Sequence, residues 1–259
     1  MAGQGRTEPF VQSLERGLAV VQAFDAESPR LPLTEVARRT GLTRAAARRF
    51  LITLTELGYV HTDGHTYGLR PRLLELGNSY LSAIRLPDIA LPHLERLAAE
   101  VRETSSLTVL DGDEVLYVAR VYGSRLLTEA IAVGTRAPAY VTSTGRVLLG
   151  GQPPDAVAEY LDRADLRAFT DATITEPARL ADEIDKARRQ GWAIADEELA
   201  DGLRSIAAPV RDDASDVVAA VNISSHVSRA SVRTMRRDWL PELLATTARI
   251  EADLTRARD

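Results

Sequence analysis

Five arginines, Arg38, Arg39, Arg44, Arg48 and Arg49, fall within 12 consecutive residues that contain no acid. Guanidinium groups at that density make the basic face that phosphate contacts require. Positions 44 and 48 are four apart and share one side of a helix, with Ala45 beside them. An arginine so placed can take guanine bidentately, and a small residue at 45 permits close approach to base edges. Thr43 stands where a helix N-cap belongs, next to that surface. Arg38 and Arg39 precede it and are within range of phosphates, which position a helix without specifying a sequence. His61 and His65 flank an Asp63-Gly64 turn; they are either backbone or minor-groove contacts or ordinary surface histidines.

A second group of residues has the chemistry of an acid-binding site. Tyr140-Val141-Thr142-Ser143-Thr144-Gly145-Arg146 runs from an extended segment into a helix start. Free N–H groups there, with the hydroxyls of Ser143 and Thr144, suit an anion or carboxylate. Helix capping alone is the alternative for those two hydroxyls. Ser205 lies in an apolar strand, and Asn222 and Ser224, two apart, share one face of another. Polar groups on a buried face need partners, and a ligand can be one; a sheet that satisfies itself is the alternative. Arg146 and Arg204 are open to ion pairs with Glu197, Glu198 or Asp201. The run Asp196-Glu197-Glu198 reads most simply as a solvated loop end.

The elements that must hold these groups are legible in outline. Phe10, Leu14, Leu18, Val21 and Phe24 follow helical spacing, and Ser28-Pro29 ends that helix. A short helix over Leu33–Thr40 stops at Gly41. A third, Arg44–Leu57, is expected to bury Phe50, Leu51, Leu54 and Leu57 and closes at Gly58. Asp63-Gly64 between Tyr59–Thr62 and His65–Leu69 predicts a hairpin. Three helices followed at once by a hairpin form a winged helix-turn-helix. Pro71–Ile84 and Pro87–Thr104 read as two further helices. Beyond them, strands are expected at Leu107–Leu110, Val115–Val121, Leu127–Ala132, Trp192–Asp196, Leu203–Val210 and Val217–Ser224. Helices are expected at Ser143–Gly150, Pro154–Leu161, Pro177–Gln190 and Ser231–Arg256, the last interruptible at Pro241. The fold class is therefore α+β, with a mixed or antiparallel sheet in the C-terminal part. The expected division is a disordered tail over 1–9, a winged helix-turn-helix over 10–70, a linker helix over 71–85 and a second domain over 86–259.

Charge supports that division. The 259-residue chain has a net charge of −5. Residues 1–85 nevertheless carry 11 Arg, no Lys and 8 acids, a net of +3, which leaves −8 for the remainder. Cysteine is absent, which excludes disulfides, thiolate metal sites and cysteine nucleophiles. There is no Gly-rich phosphate loop, no G-x-S-x-G elbow and no metal-spaced histidine cluster, so an enzyme is disfavoured and no cofactor is expected. The first ten residues lack a signal-peptide pattern, and no apolar run reaches a membrane span of about 20 residues. The expected compartment is the cytoplasm. A winged helix used purely as a protein-docking adaptor is the competing class, against which the arginine face argues.

Five ordered segments carry a family resemblance. They are "VQSLERGLAVVQAFD", "LTEVARRTGLTRAAARRFLITLTELGYV", "VGTRAPAYVTSTGRVLLG", "ADEELADGLRSIAAPV" and "VVAAVNISS". The chain resembles the IclR family of transcriptional regulators from Phe10 onward. The first two segments, with "PRLLELGNSYLS", look like the subgroup that governs aromatic-acid catabolism through the β-ketoadipate pathway. The resemblance implies a winged helix-turn-helix, a linker helix and a GAF-like effector domain. It implies a homodimer or dimer of dimers, binding palindromic double-stranded promoter DNA and a small organic acid. Carried over by motif, the effector contacts fall on Ser143, Thr144, Ser205, Asn222 and Ser224, with Leu203 as an apolar wall and Tyr140 available to stack on a ring. Relatives that take very small keto acids have Asp where this chain has Ala195 and Cys where it has Ser205. Those departures favour a roomier pocket and an aromatic-pathway acid, with a sugar acid or short keto acid as the alternative.

Overall fold

The computed structural model describes residues 10–25, 27–76, 85–123 and 131–258. Contacts divide the chain into two compact units, Met1–Ile84 and Arg85–Asp259. Of the expected elements, the 1–9 tail, most of the Pro71–Ile84 helix and residues 127–130 of one strand lie outside the described residues.

In the first unit, α1 (Gln12–Gln22), α2 (Leu33–Thr40) and α3 (Arg44–Glu56) enclose a small core with a three-stranded sheet. Val20, Phe24, Val36, Ala47, Leu51 and Val60 form that core. Strand β1 (Arg30–Pro32) pairs antiparallel with β3 (Thr66–Leu69), which pairs with β2 (Val60–Thr62). Gly41 ends α2 in the left-handed conformation, at φ 66°. Thr43 caps α3 by accepting a hydrogen bond from the Ala46 N–H at 3.2 Å. The apolar stripe read on α1 faces the core less than its spacing suggests. Leu14 and Leu18 are 63% and 51% exposed, while Val20 and Ala23 are buried. Leu57, expected on the buried side of the third helix, is likewise exposed. Helical periodicity marks an apolar side but not what covers it.

The second unit is a six-stranded antiparallel sheet of order β6-β5-β4-β9-β8-β7. Its strands are β4 (Thr104–Asp111), β5 (Glu114–Val121), β6 (Arg136–Pro138), β7 (Ala193–Asp196), β8 (Leu203–Arg211) and β9 (Val217–His226). One face carries α4 (Leu86–Val101) and the long α8 (Leu240–Arg258). The other carries α5 (Ser143–Gly150), against which α7 (Pro177–Gln190) packs, with α6 (Pro154–Arg163) beside α7. Three differences from the sequence reading have local causes. Helix α4 stops at Val101 because Arg102 turns left-handed, at φ 57°, and β4 starts at Thr104 instead of Leu107. The strand that pairs beside β5 is Arg136–Pro138. Pro241 does not break the last helix; a π-helical stretch, Met235–Trp239, precedes it and accommodates the missing N–H and the ring.

Helix α5 is buried along its whole length, which requires it to lie very close to its neighbours. Gly145 makes this possible: a Cβ there would overlap the carbonyl oxygen of Ala139 in the 3₁₀ turn Ala139–Val141. Gly145→Ala should lower the stability of the second unit by about 1–3 kcal/mol through overpacking. Thermal unfolding checks this; an unchanged midpoint would mean that α5 is free to shift.

Candidate DNA-binding helix and effector cavity

The arginines of the first unit divide into two sets. Arg39 is spent internally: it donates to the Ala23 carbonyl at 2.9 Å, Asp25 at 2.7 Å, Ser28 at 2.7 Å and Glu35 at 3.1 Å. It braces α2 against the loop after α1, so few of its donors remain for phosphate. Arg38 pairs with Glu35 at 2.6 and 2.9 Å. The two guanidinium groups hold the Glu35 carboxyl down at about 2. Arg44, Arg48 and Arg49, by contrast, are exposed, and among the described residues none has an acidic partner. Ala45 and Arg49 lie on the side of α3 opposite buried Ala47 and Leu51, with Arg48 on the flank. The helix thus offers three free cations around a small residue.

Beside it, Asp63 orders the wing turn. Its carboxylate accepts from the His65 and Thr66 N–H groups at 2.9 and 2.7 Å and from the Thr66 hydroxyl at 2.8 Å. These bonds push its pKa well below the usual carboxylate range. His65 sits exposed at the tip, whereas the His61 ring lies over Gly68 on the paired strand, half-buried.

In the second unit, α5 begins over the centre of the sheet. Thr142 caps it, accepting from the Gly145 N–H at 2.9 Å. Ser143 follows, fully buried, with its hydroxyl 2.8 Å from that of Ser205 on β8. Ser205 is paired with Ser224 on β9, and Asn222 lies two residues along the same face. Between these groups is a cavity of about 20 Å³. Ser205, Asn222, Ser224, Thr142 and Glu198 form its polar wall; Tyr117, Ile131, Val141, Ala195, Leu199 and Leu203 form its apolar one. The Asn222 Oδ1 atom is buried and has no hydrogen-bond partner among the described residues.

Three expected effector residues do not line the cavity: Ser143 reaches it only through its hydrogen bond with Ser205, and Tyr140 and Thr144 are placed elsewhere. Tyr140 points away from the cavity: its hydroxyl donates to the Arg167 carbonyl and accepts from the Arg167 N–H, both at 2.8 Å, and its ring tilts against Phe169. The 3₁₀ turn before α5 rotates it out and leaves Val141 facing in. Tyr117, on β5, supplies the aromatic wall instead. Nothing in its local motif marked it; only the pairing of β5 with β4 brings it there. Thr144 is buried on α5 without lining the cavity, and its hydroxyl is directed to Thr142 at 3.5 Å.

The acids after β7 are not a solvated loop end. Glu198 is buried and forms a two-pronged ion pair with Arg146 of α5, with one contact at 2.8 Å. Arg146 also donates to the Ile194 carbonyl at 3.0 Å. Glu197 accepts from the Gly202 N–H at 2.9 Å, and Asp196 pairs with Arg204 at 2.5 and 2.9 Å. Among the described residues, no group of three or more His, Asp or Glu side chains could hold a metal ion, and no helix is long and apolar enough to cross a membrane.

A helix-turn-helix with a wing and free cations, followed by a sheet domain with a polar cavity, defines a ligand-responsive transcriptional regulator. The chain belongs to the IclR family. Residues 13–64 match the IclR helix-turn-helix domain, and residues 78–251 match the bacterial transcriptional regulator IclR C-terminal domain. It is 44% identical over 239 residues to the Pca regulon regulatory protein of Pseudomonas putida, covering 92% of this chain and 82% of that one. It is 38% identical over 248 residues to the p-hydroxybenzoate hydroxylase transcriptional activator of Acinetobacter baylyi, covering 94% and 91%. The crystal structure of an IclR homolog from Microbacterium hydrocarbonoxydans complexed with 4-hydroxybenzoate is similar at TM-score 0.83 and 27% identity, covering 94% of this chain and 99% of that one.

Replacing Arg146 by Met should destabilise the second unit by about 3–5 kcal/mol, because Glu198 is left buried without a counter-charge. Adding Glu198→Leu should recover much of that loss. Unfolding of the single and double variants checks it; equal midpoints for both would show that the ion pair is not what holds α5.

Proposed function

We propose that this regulator controls genes of aromatic-acid catabolism, in the manner of the Pca and p-hydroxybenzoate regulators it resembles, and responds to an acid of that pathway: 4-hydroxybenzoate, protocatechuate or β-ketoadipate. One observation carries the effector half of this reading. A buried cavity walled by Tyr117 holds an unpartnered Asn222 amide oxygen beside the Ser143–Ser205 hydroxyl pair. Ala195 and Ser205, both small, leave room beside that ring. At about 20 Å³ the cavity takes a single water, whereas a benzene-sized guest fits a void of about 150 Å³. Binding an aromatic acid therefore moves the walls, which couples occupancy to the shape of the domain.

In this reading residues 10–70 bind DNA, 71–85 link and 86–259 sense. Arg44, Ala45, Arg48 and Arg49 face the major groove of a palindromic promoter site, with Thr43 and Arg38 toward the phosphates. His65 at the tip of the wing, with His61 behind it, approaches the backbone or minor groove. The exposed Leu14 and Leu18 of α1 support assembly of a homodimer through the DNA-binding unit, with any dimer of dimers formed through the second unit. The protein acts in the cytoplasm, as a regulator and not as an enzyme.

Thermal unfolding with 4-hydroxybenzoate, protocatechuate, β-ketoadipate, pyruvate and glyoxylate tests the effector class. A bound acid at a hundredfold excess over its dissociation constant adds about 2.7 kcal/mol. A shift with one of the first three is expected; a shift only with pyruvate or glyoxylate would falsify the aromatic assignment. On the DNA side, Arg44→Ala and Arg48→Ala should each cost about 1–3 kcal/mol of specific binding. Arg38→Ala should instead weaken all sequences alike and flatten the salt dependence. Titrations against a preferred and a scrambled site separate these outcomes, and unchanged affinity in both arginine variants of α3 would remove that helix from the groove.

A further inference from the structure

A buried carboxylate needs a counter-charge or several hydrogen-bond donors. The charged groups around the cavity are mostly accounted for. Glu198 lines it but is neutralised by Arg146. Arg204, on the strand that carries Ser205, is held by Asp196 and by the Ala230 carbonyl. Among the described residues of the sheet face that holds the cavity, that leaves one cation.

It is Arg120 of β5. Arg120 pairs across the strands with Ser106 of β4, which pairs in turn with Asn222 of β9. Its Nη1 donates to the Ser106 hydroxyl at 3.2 Å, and its guanidinium lies 5.9 Å from the centre of the Tyr117 ring that walls the cavity and 5.3 Å from that of Tyr122. Its Nε is buried with no hydrogen-bond partner, and among the described residues it has no carboxylate partner. Desolvation lowers its pKa, with only the two tyrosines opposing. Along the same face the buried hydroxyl of Thr104, paired with Ser224, also lacks a partner. Arg120, Thr104 and Asn222, each with an unpartnered atom, thus share one face of three adjacent strands, at the edge of the cavity lining that Tyr117 and Asn222 form. Buried polar atoms are as a rule hydrogen-bonded, so a group of unpartnered ones on one face calls for a partner.

We infer that Arg120 is the carboxylate anchor of the effector site, so that the acid group sits against its guanidinium at the Ser106–Asn222 corner and the ring lies along Tyr117. This rests on the aromatic-acid reading above and extends it to the site's charge requirement. The specificity it implies is for the anion: an uncharged analogue of the same shape demands the same movement of the walls but leaves the arginine unanswered. The orientation follows, with the ring's other substituent toward Ser205 and Ser143.

The test compares 4-hydroxybenzoate with 4-hydroxybenzamide, by titration calorimetry on the full chain, in the wild type, R120Q and R120K. Charge-assisted hydrogen bonds of this kind are worth about tenfold or more in affinity. The wild type is expected to prefer the acid by at least about tenfold. R120Q should lose that preference by weakening the acid and not the amide, while R120K retains part of it. Effector-free DNA binding and the unfolding midpoint show whether each variant is folded. If R120Q binds the acid as the wild type does, or weakens acid and amide equally, Arg120 is not the anchor, although the aromatic-acid reading stands. A wild type that binds the acid without preferring it to the amide overturns the anchor with no variant needed. A wild type that binds neither compound, nor protocatechuate, sinks the aromatic reading and this inference with it.

Discussion

The ion pair between Arg146 and Glu198 is the contact on which the second unit's organisation depends. It joins the first turn of α5 to the loop between β7 and β8, both buried. A charged pair is expensive to desolvate and is tolerated only where its geometry is good and its remaining donors are used. Here the fork takes both carboxylate oxygens and a strand carbonyl, while its Nε is buried without a partner among the described residues. The consequence is positional. With α5 held there and Gly145 seated on Ala139, Ser143 meets Ser205, and the cavity opens between the helix start and the sheet. Thr170 and Thr173 reinforce the same loop by donating to the Glu197 and Glu198 carbonyls at 2.6 and 2.7 Å.

Both units use arginine in two ways, and the division follows from whether an acid lies within reach. Arg39, Arg146 and Arg204 are locked to carboxylates and hold structure together. Arg44, Arg48 and Arg49 have no acidic partner among the described residues and keep their charge available on the surface of α3. Arg120 is the corresponding case inside a fold, where lack of a counter-ion is costly and so carries more information than on a surface. A basic stretch in a sequence does not reveal this division, since Arg38 and Arg49 look alike until Glu35 is seen to reach back to the first of them.

Much of the architecture was legible because it rests on local rules. The stop at Gly41, the cap at Thr43 and the Asp63 turn are short-range hydrogen-bond chemistry, and each is where the residue types placed it. The strands β5, β8 and β9 fall within two residues of their expected bounds, although β8 and β9 are buried on both faces and do not alternate. The readings that shifted were those in which a distant element decides. Leu14 and Leu18 have the spacing of a core face, yet the core of a unit this small is filled from Val20 and Phe24. Pro241 looked like a break, yet a π turn absorbs it, because α8 is held along its length by the sheet and α4.

The sequence by itself determined the winged helix-turn-helix, the regulator family and the strand faces that carry Ser205, Asn222 and Ser224, because period, turn chemistry and ordered motifs are written in neighbouring residues. The packing of distant strands settles which aromatic ring faces the cavity and, among the described residues, which arginine on that face of the sheet has no acid beside it. Tyr117 and Arg120 enter the site through the register of β5 on β4 and of β4 on β9, whereas Tyr140, adjacent to the site in sequence, is turned away by one 3₁₀ turn. Pairing register and the exclusion of water act between residues about a hundred positions apart, and no local pattern encodes them.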